Sequence, residues 1–158
     1  MIEPTAKEKF EERLKLINEN NANYLVEIGT YFSEWLGAVD SLLKQFCDWL
    51  HPFECAGLKS LCFTDTVIFK EAFGHCNTHK VVIIFEDFRE LVIEPYISSN
   101  NTLYDNAFYI VFKLYGKSYC FMERSSNKWF FTGFPFNLQE VKEATFFTCL
   151  TYLMNKDH

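Results

Sequence analysis

The chain has 158 residues, 49% of them hydrophobic, with eighteen Phe, only three Arg and a formal net charge of −6. That length suits one domain whose core needs no disulfide or metal staple, and three arginines without a basic run exclude neutralisation of several nucleic-acid phosphates. No uninterrupted apolar stretch of about 18 residues occurs, so no membrane-spanning helix is expected.

Six cysteines (Cys47, Cys55, Cys62, Cys76, Cys120, Cys149) follow no charged-then-apolar leader, so free thiols and a cytoplasmic location are expected. The sequon Asn100-Asn101-Thr102 is then incidental. Acidity is uneven: residues 1–100 hold nine Lys and Arg against sixteen Asp and Glu, and residues 101–158 hold six against five. Such a balance suits a basic protein partner.

Thr5-Ala6-Lys7-Glu8 is a capping-box sequence followed by Phe10, Leu14 and Ile17 at helical spacing, which predicts a helix over about 6–19. Asn18, Asn20, Asn21 and Asn23 crowd the next stretch, and asparagine competes with helical hydrogen bonding, so a break is expected there. A second helix is expected from Tyr24 to the Pro52 stop, with Leu25, Ile28, Phe32, Trp35, Val39, Leu42, Phe46 and Trp49 three and four apart. Tyr24, Tyr31, Leu36, Leu43 and Leu50 widen this stripe beyond a coiled-coil seam, which favours a sheet as its cover over an intermolecular coil. Gly29 and Gly37 within it point to close approach of another backbone.

From Leu61 onward the period changes to two, with strands predicted near 62–70, 80–86, 90–97, 107–115, 118–123 and 128–132. Links as short as Asp87-Phe88-Arg89, Gly116-Lys117 and Ser125-Ser126-Asn127 leave no room for crossover helices and imply an antiparallel meander. The longer polar connection from Ser98 to Asn106 is the loop most suited to function. Asn137 is expected to cap a final helix over about 138–154, with Glu140 at its third position and Phe136 and Val141 forming a hydrophobic staple. Phe134 has no assigned place.

Alternation assigns Phe63, Val67, Phe69, Leu91, Ile93, Phe108, Ile110, Phe112, Leu114, Trp129 and Phe131 to one apolar face, which the helices should cover. The other face reads Thr64, Thr66, Ile68, Val92, Glu94, Tyr96, Tyr109, Val111, Lys113, Tyr115 and Phe130. Tyrosine offers apolar area with a hydroxyl that tolerates water, so this mixture reads as a recognition surface, against the alternative of a plain half-solvated sheet face.

Little else carries chemistry. Cys47, His51 and Cys55 are spaced by four and His75, Cys76 and His79 cluster, yet Pro52 interrupts the first set and no C-x2-C knuckle exists, so no metal is expected. Cys76 beside His75 and His79 is not by adjacency a nucleophile, and no serine-hydrolase, phosphate-loop, dinucleotide or zincin motif occurs, so neither a catalytic residue nor a cofactor is expected. The acidic series Glu86, Asp87, Glu90 and Glu94 is read as a hairpin end.

The fold expected is therefore α+β: two N-terminal helices, a six-stranded mainly antiparallel meander sheet, and a C-terminal helix packed on the same sheet face, in a single domain over 1–158. The function expected is a non-catalytic acidic module of the inhibitor, immunity or chaperone-like kind. It would bind a protein partner through Glu94, Tyr96, Tyr104, Tyr109, Lys113, Tyr115 and Phe130, with a homodimer through the same face as a further possibility. The alternative is a small enzyme or ligand-binding domain with a pocket between helices and sheet.

Overall fold

The protein is described from a computed structural model covering residues 3–70, 73–98, 107–133 and 135–156. The chain divides into two compact units, Met1–Trp35 and Leu36–His158. Helix α1 spans Ala6–Leu50 and is followed by a single 3-10 turn, His51–Phe53. Two helical elements thus precede the sheet, but the division between them falls after Leu50 and not among the asparagines. The capping box forms, with the Glu8 amide donating to Thr5 Oγ1 at 3.2 Å and the Thr5 amide donating to Glu8 Oε2 at 3.3 Å. Each asparagine costs a helix up to about 0.7 kcal/mol relative to alanine. Breaking and renucleating the helix costs more than carrying those residues through, since propagation adds one bond per residue fixed while nucleation fixes three for one.

In the first unit, Phe10, Leu14 and Ile17 are exposed, while Phe32 and Trp35 are buried with ring centroids 6.1 Å apart. In the second unit, Val39, Leu43, Phe46 and Leu50 of α1 are buried. Gly37 is exposed and a methyl group in place of its hydrogen would meet nothing within 4 Å among the described residues, which therefore supply no close backbone approach there. Gly37→Ala should therefore raise stability by about 1 kcal/mol, the difference in helix propensity, readable as a higher denaturant midpoint.

Six strands form one sheet in sequence order, every neighbour antiparallel: β1 (Leu58–Lys70), β2 (Gly74–Phe85), β3 (Glu90–Ser98), β4 (Ala107–Leu114), β5 (Lys117–Ser125) and β6 (Lys128–Thr132). Helix α2 (Glu143–Met154) closes the chain. The registers Val81↔Ile93, Ile93↔Phe112 and Met122↔Phe131 place those residues on one face with Leu91, Ile110 and Leu114, all buried. Against that face the Phe46 ring stacks on Phe146 of α2 at 4.2 Å, and both meet Phe112 edge-on at 6.2 and 6.3 Å. Residues 36–50 of α1 and α2 therefore cover the same side of the sheet, as expected.

The β1–β2 hairpin departs from the alternation. Phe63, Val67 and Phe69 do share the helix side through Phe63↔Val81, Val67↔Asn77 and Phe69↔His75, but Val67 and Phe69 are 58% and 57% exposed. On the hairpin's own other side Ile68, Thr78 and Lys70 are buried, and the Lys70 ammonium lies 5.6 Å from the ring centroid of Phe108, which shares the parity of Ile110 and Phe112. The β2–β3 ladder ends at Val81↔Ile93, so beyond it β1 and β2 continue as a two-stranded arm. Two-stranded ribbons twist more than wide sheets, and what alternation calls core stops being core where the third strand leaves. The Thr78 hydroxyl is buried with no hydrogen-bond partner among the described residues. Thr78→Val should stabilise the protein by about 1 kcal/mol, since it replaces an unsatisfied buried hydroxyl by a methyl of the same shape; thermal denaturation would show it.

The stretch after β6 also departs from expectation. Asn137 does not cap a helix: its Oδ1 accepts from the Gly133 amide at 3.1 Å. Residues 138–141 instead run along the free edge of β6, with the Phe131 amide donating to Gln139 O, the Leu138 amide to Phe131 O and the Val141 amide to Trp129 O, each at 2.8 Å. Glu140 bridges Phe130. Edge backbone left open invites pairing with other chains, and this segment satisfies it. The helix starts later, at Glu143, where the Lys142 amide donates to Thr145 Oγ1 at 2.8 Å. Phe136 is buried as expected, but against Phe131 and Tyr152, both at 5.5 Å, and not as a staple. Phe134 lies outside the described residues.

Candidate functional site

Antiparallel partners share a face, so the registers Val82↔Val92↔Lys113, Glu94↔Val111↔Phe121 and Tyr96↔Tyr109 define three rows across the side opposite the helices. Phe130, paired with Glu123, extends the last row on β6. Of the seven expected site residues, the sheet brings Glu94, Tyr96, Tyr109, Lys113 and Phe130 onto this face, and Tyr115 lies in the turn at its margin. Tyr104, with the rest of positions 99–106 of the expected loop, lies outside the described residues. Tyr96 is 42% exposed, and Tyr109, Lys113, Tyr115 and Phe130 are half-buried.

At the centre, Val111 is fully buried by its neighbours. Phe121 makes edge-to-face contacts with Tyr109 at 5.7 Å and Tyr96 at 6.2 Å, so three rings from three adjacent strands form one apolar patch. The Glu94 carboxylate takes a 2.7 Å ion pair from Lys113, its diagonal neighbour on β4. A half-buried pair of this kind fixes two long side chains in place, and it leaves Glu94 partly neutralised as a lure for a basic partner.

Beside this patch a depression of about 270 Å³ is lined by Lys80, Glu90, Glu94 and Lys113, with Phe88 and Tyr115 among its walls. Both aromatics sit in the left-handed backbone region. Tyr115 (φ 55°) and Gly116 (φ 76°) form the two-residue turn that joins Leu114 to Lys117, a type I′ geometry that favours Asn-Gly or Gly-Gly. Phe88 (φ 68°) occupies the β2–β3 turn, 71% exposed, with the Lys59 ammonium 3.9 Å from its ring centroid. A bulky L-residue in that region costs about 1–2 kcal/mol. Two aromatic residues hold it beside one depression.

Phe121 and Phe88 are absent from the sequence-derived set. Phe121 stands between Cys120 and Met122, so alternation within β5 is ambiguous without the partner strand's register. Phe88 sits in a turn, where its type at a glycine-like position is a signal only once the backbone angle is known.

The His and Cys clusters separate. His79 lies within β2, its Nδ1 3.0 Å from Asp40 Oδ1 and its Nε2 3.2 Å from Asp65 Oδ1, with its ring 4.5 Å from that of Phe63. These contacts tie α1 to the β1–β2 arm. His75 packs on Phe69 at 5.2 Å, and Cys76 faces the other side of the sheet, paired with Ile68. His51 pairs with Glu54 at 3.2 Å. Among the described residues no three His, Cys, Asp or Glu side chains converge on a position for a metal ion. Burial, then the Asp48 and Glu54 carboxylates, push the Cys47 thiol up to about 11. The Cys149 thiol is raised by the hydrogen bond it donates to Cys120 at 3.5 Å and then by burial. Raised thiols are poor nucleophiles and poor metal ligands at neutral pH.

An apolar cavity of about 200 Å³ lies between the end of α1, the start of β1 and α2, lined among others by Leu50, Leu58, Phe85, Phe147 and Met154. Its hydroxyl-bearing side chain, Thr151, already donates to Phe147 O at 2.9 Å. Among the described residues no helix is long and apolar enough to cross a membrane. Compared with known protein families, characterised proteins and solved structures, the chain matches none.

Proposed function

We propose that this is a non-catalytic protein-binding module, of the inhibitor, immunity or chaperone-like kind, whose partner docks on the sheet face opposite the helices. The observation that carries this reading is the pair of aromatic residues, Tyr115 and Phe88, held in left-handed turns beside a depression that adjoins the Tyr96–Tyr109–Phe121 patch. Turn positions that would fold better with asparagine or glycine keep large rings there, and strain retained at a surface is commonly tied to binding. Rigid aromatics flanked by a polar rim are the usual composition of an energetic centre in protein recognition.

The partner's complementary surface is apolar with charges of both signs. Lys80 and Lys113 stand against Glu90, Glu94 and Glu123 on this side, so attraction of a basic partner rests on the chain's net charge of −6 and not on Glu94 alone. The apolar cavity supports the small-ligand alternative, but the one hydroxyl among its described lining side chains, that of Thr151, is already engaged and so is poorly placed to orient a reacting molecule.

The test compares capture by the parent chain with capture by Tyr96→Ala and Tyr115→Asn variants. One protein held by the parent and released by both variants supports docking on this face. A bound small molecule retained equally by all three supports the cavity instead.

A further inference from the structure

We propose that residues 6–31 of α1 pair with the same segment of a second copy of the chain as an antiparallel two-stranded coiled coil. Phe10, Leu14 and Ile17 are 63%, 43% and 52% exposed, and Tyr31 45%. Positions 10, 14, 17, 21, 24, 28, 31 and 35 alternate four and three apart without interruption, the a/d spacing of a coiled coil. After Trp35 the frame changes: the buried positions of the second unit are Val39, Leu43, Phe46 and Leu50, spaced four, three and four. The seam is thus confined to the first unit.

A helix of this length with four asparagines is marginal in water unless its apolar face is covered, and along residues 3–23 every side chain is exposed.

Charge selects the occupant and its direction. If two copies run antiparallel about a centre between residues 17 and 21, position 10 lies opposite 28, 14 opposite 24 and 17 opposite 21. The flanking positions then set Arg13 of each copy against Glu27 of the other, twice by two-fold symmetry. Parallel pairing would instead set Arg13 against Asn18 and Glu27 against Phe32, with no charge match. Both Arg13 and Glu27 are exposed, and neither forms an ion pair among the described residues. A surface that complements its own copy in this way fits a second copy better than an unrelated helix.

This pairing is independent of the sheet face, and sedimentation equilibrium of the full chain, without partner, tests it. The mass of two chains is expected. Ile17→Asp should give the mass of one chain, with the near-ultraviolet circular dichroism of the second unit kept. Arg13→Glu should weaken the dimer by about tenfold, and adding Glu27→Arg should restore it. A parent chain of single mass overturns the proposal. So does a dimer that survives Ile17→Asp, as pairing through the tyrosine face would, or a double charge swap no tighter than Arg13→Glu alone.

Discussion

Truncating Phe46 to alanine is expected to lower the unfolding free energy by about 3–5 kcal/mol, the cost of removing a fully buried phenyl group when its surroundings cannot collapse. Phe46 has no exposed surface and touches Trp49, Phe112 and Phe146, the last in a near-parallel stack at 4.2 Å and 10°. With Phe112 and Phe146 it forms a three-ring junction between α1, the sheet and α2, so its loss leaves a gap that all three elements border. Domains of this kind are stable by about 5–15 kcal/mol in total, which makes the change a large fraction of the whole. Urea unfolding followed by fluorescence gives the number, and a loss under about 1 kcal/mol would mean that the site repacks and that Phe46 does not join the three layers.

Replacing Tyr115 by asparagine is expected to move stability and binding in opposite directions. Tyr115 precedes Gly116 in a two-residue turn with both residues at positive φ, and asparagine adopts that backbone more readily than tyrosine. The variant should gain up to about 1 kcal/mol in the β4–β5 hairpin. Its partner affinity should fall about tenfold or more, as for loss of an aromatic anchor at the edge of an apolar patch. Tyr96→Ala removes a ring that is 42% exposed and adjacent to Phe121, and should reduce affinity with little change in stability. A stabilised Tyr115→Asn protein that binds as tightly as the parent would leave the strained tyrosine without a functional explanation. Denaturant midpoints and titration calorimetry on the same preparations separate the two effects.

The strands were legible because short turn-forming links, Gly116-Lys117 and Ser125-Ser126-Asn127, separate the runs, and Gly116, Ser126 and Asn127 do sit at positive φ; strand ends predicted from composition agree with the observed ones to within a few residues outside β1 and β2. The same local rules misplace the start of α2. Asn137 followed by Glu140 is a sound capping pattern, but the backbone of residues 138–141 has a competing partner in the edge of β6, and a sheet edge offers several hydrogen bonds where a cap offers two. The asparagine cluster was read as a break for an equally local reason, and helix cooperativity overrides it. Of the candidate site, Tyr96, Tyr109 and Phe130 follow from parity along each strand. Phe121 and Phe88 do not, since one needs cross-strand register and the other a backbone angle.

Because every strand lies beside its neighbour in sequence, no segment has to be threaded past another as the molecule assembles. Each pairing closes a short loop at small entropic cost, so the sheet can zip up hairpin by hairpin, at the rapid end of what β-rich topologies permit. The distant encounter is between Phe46 and Phe146, which must wait until the C-terminal helix has been made.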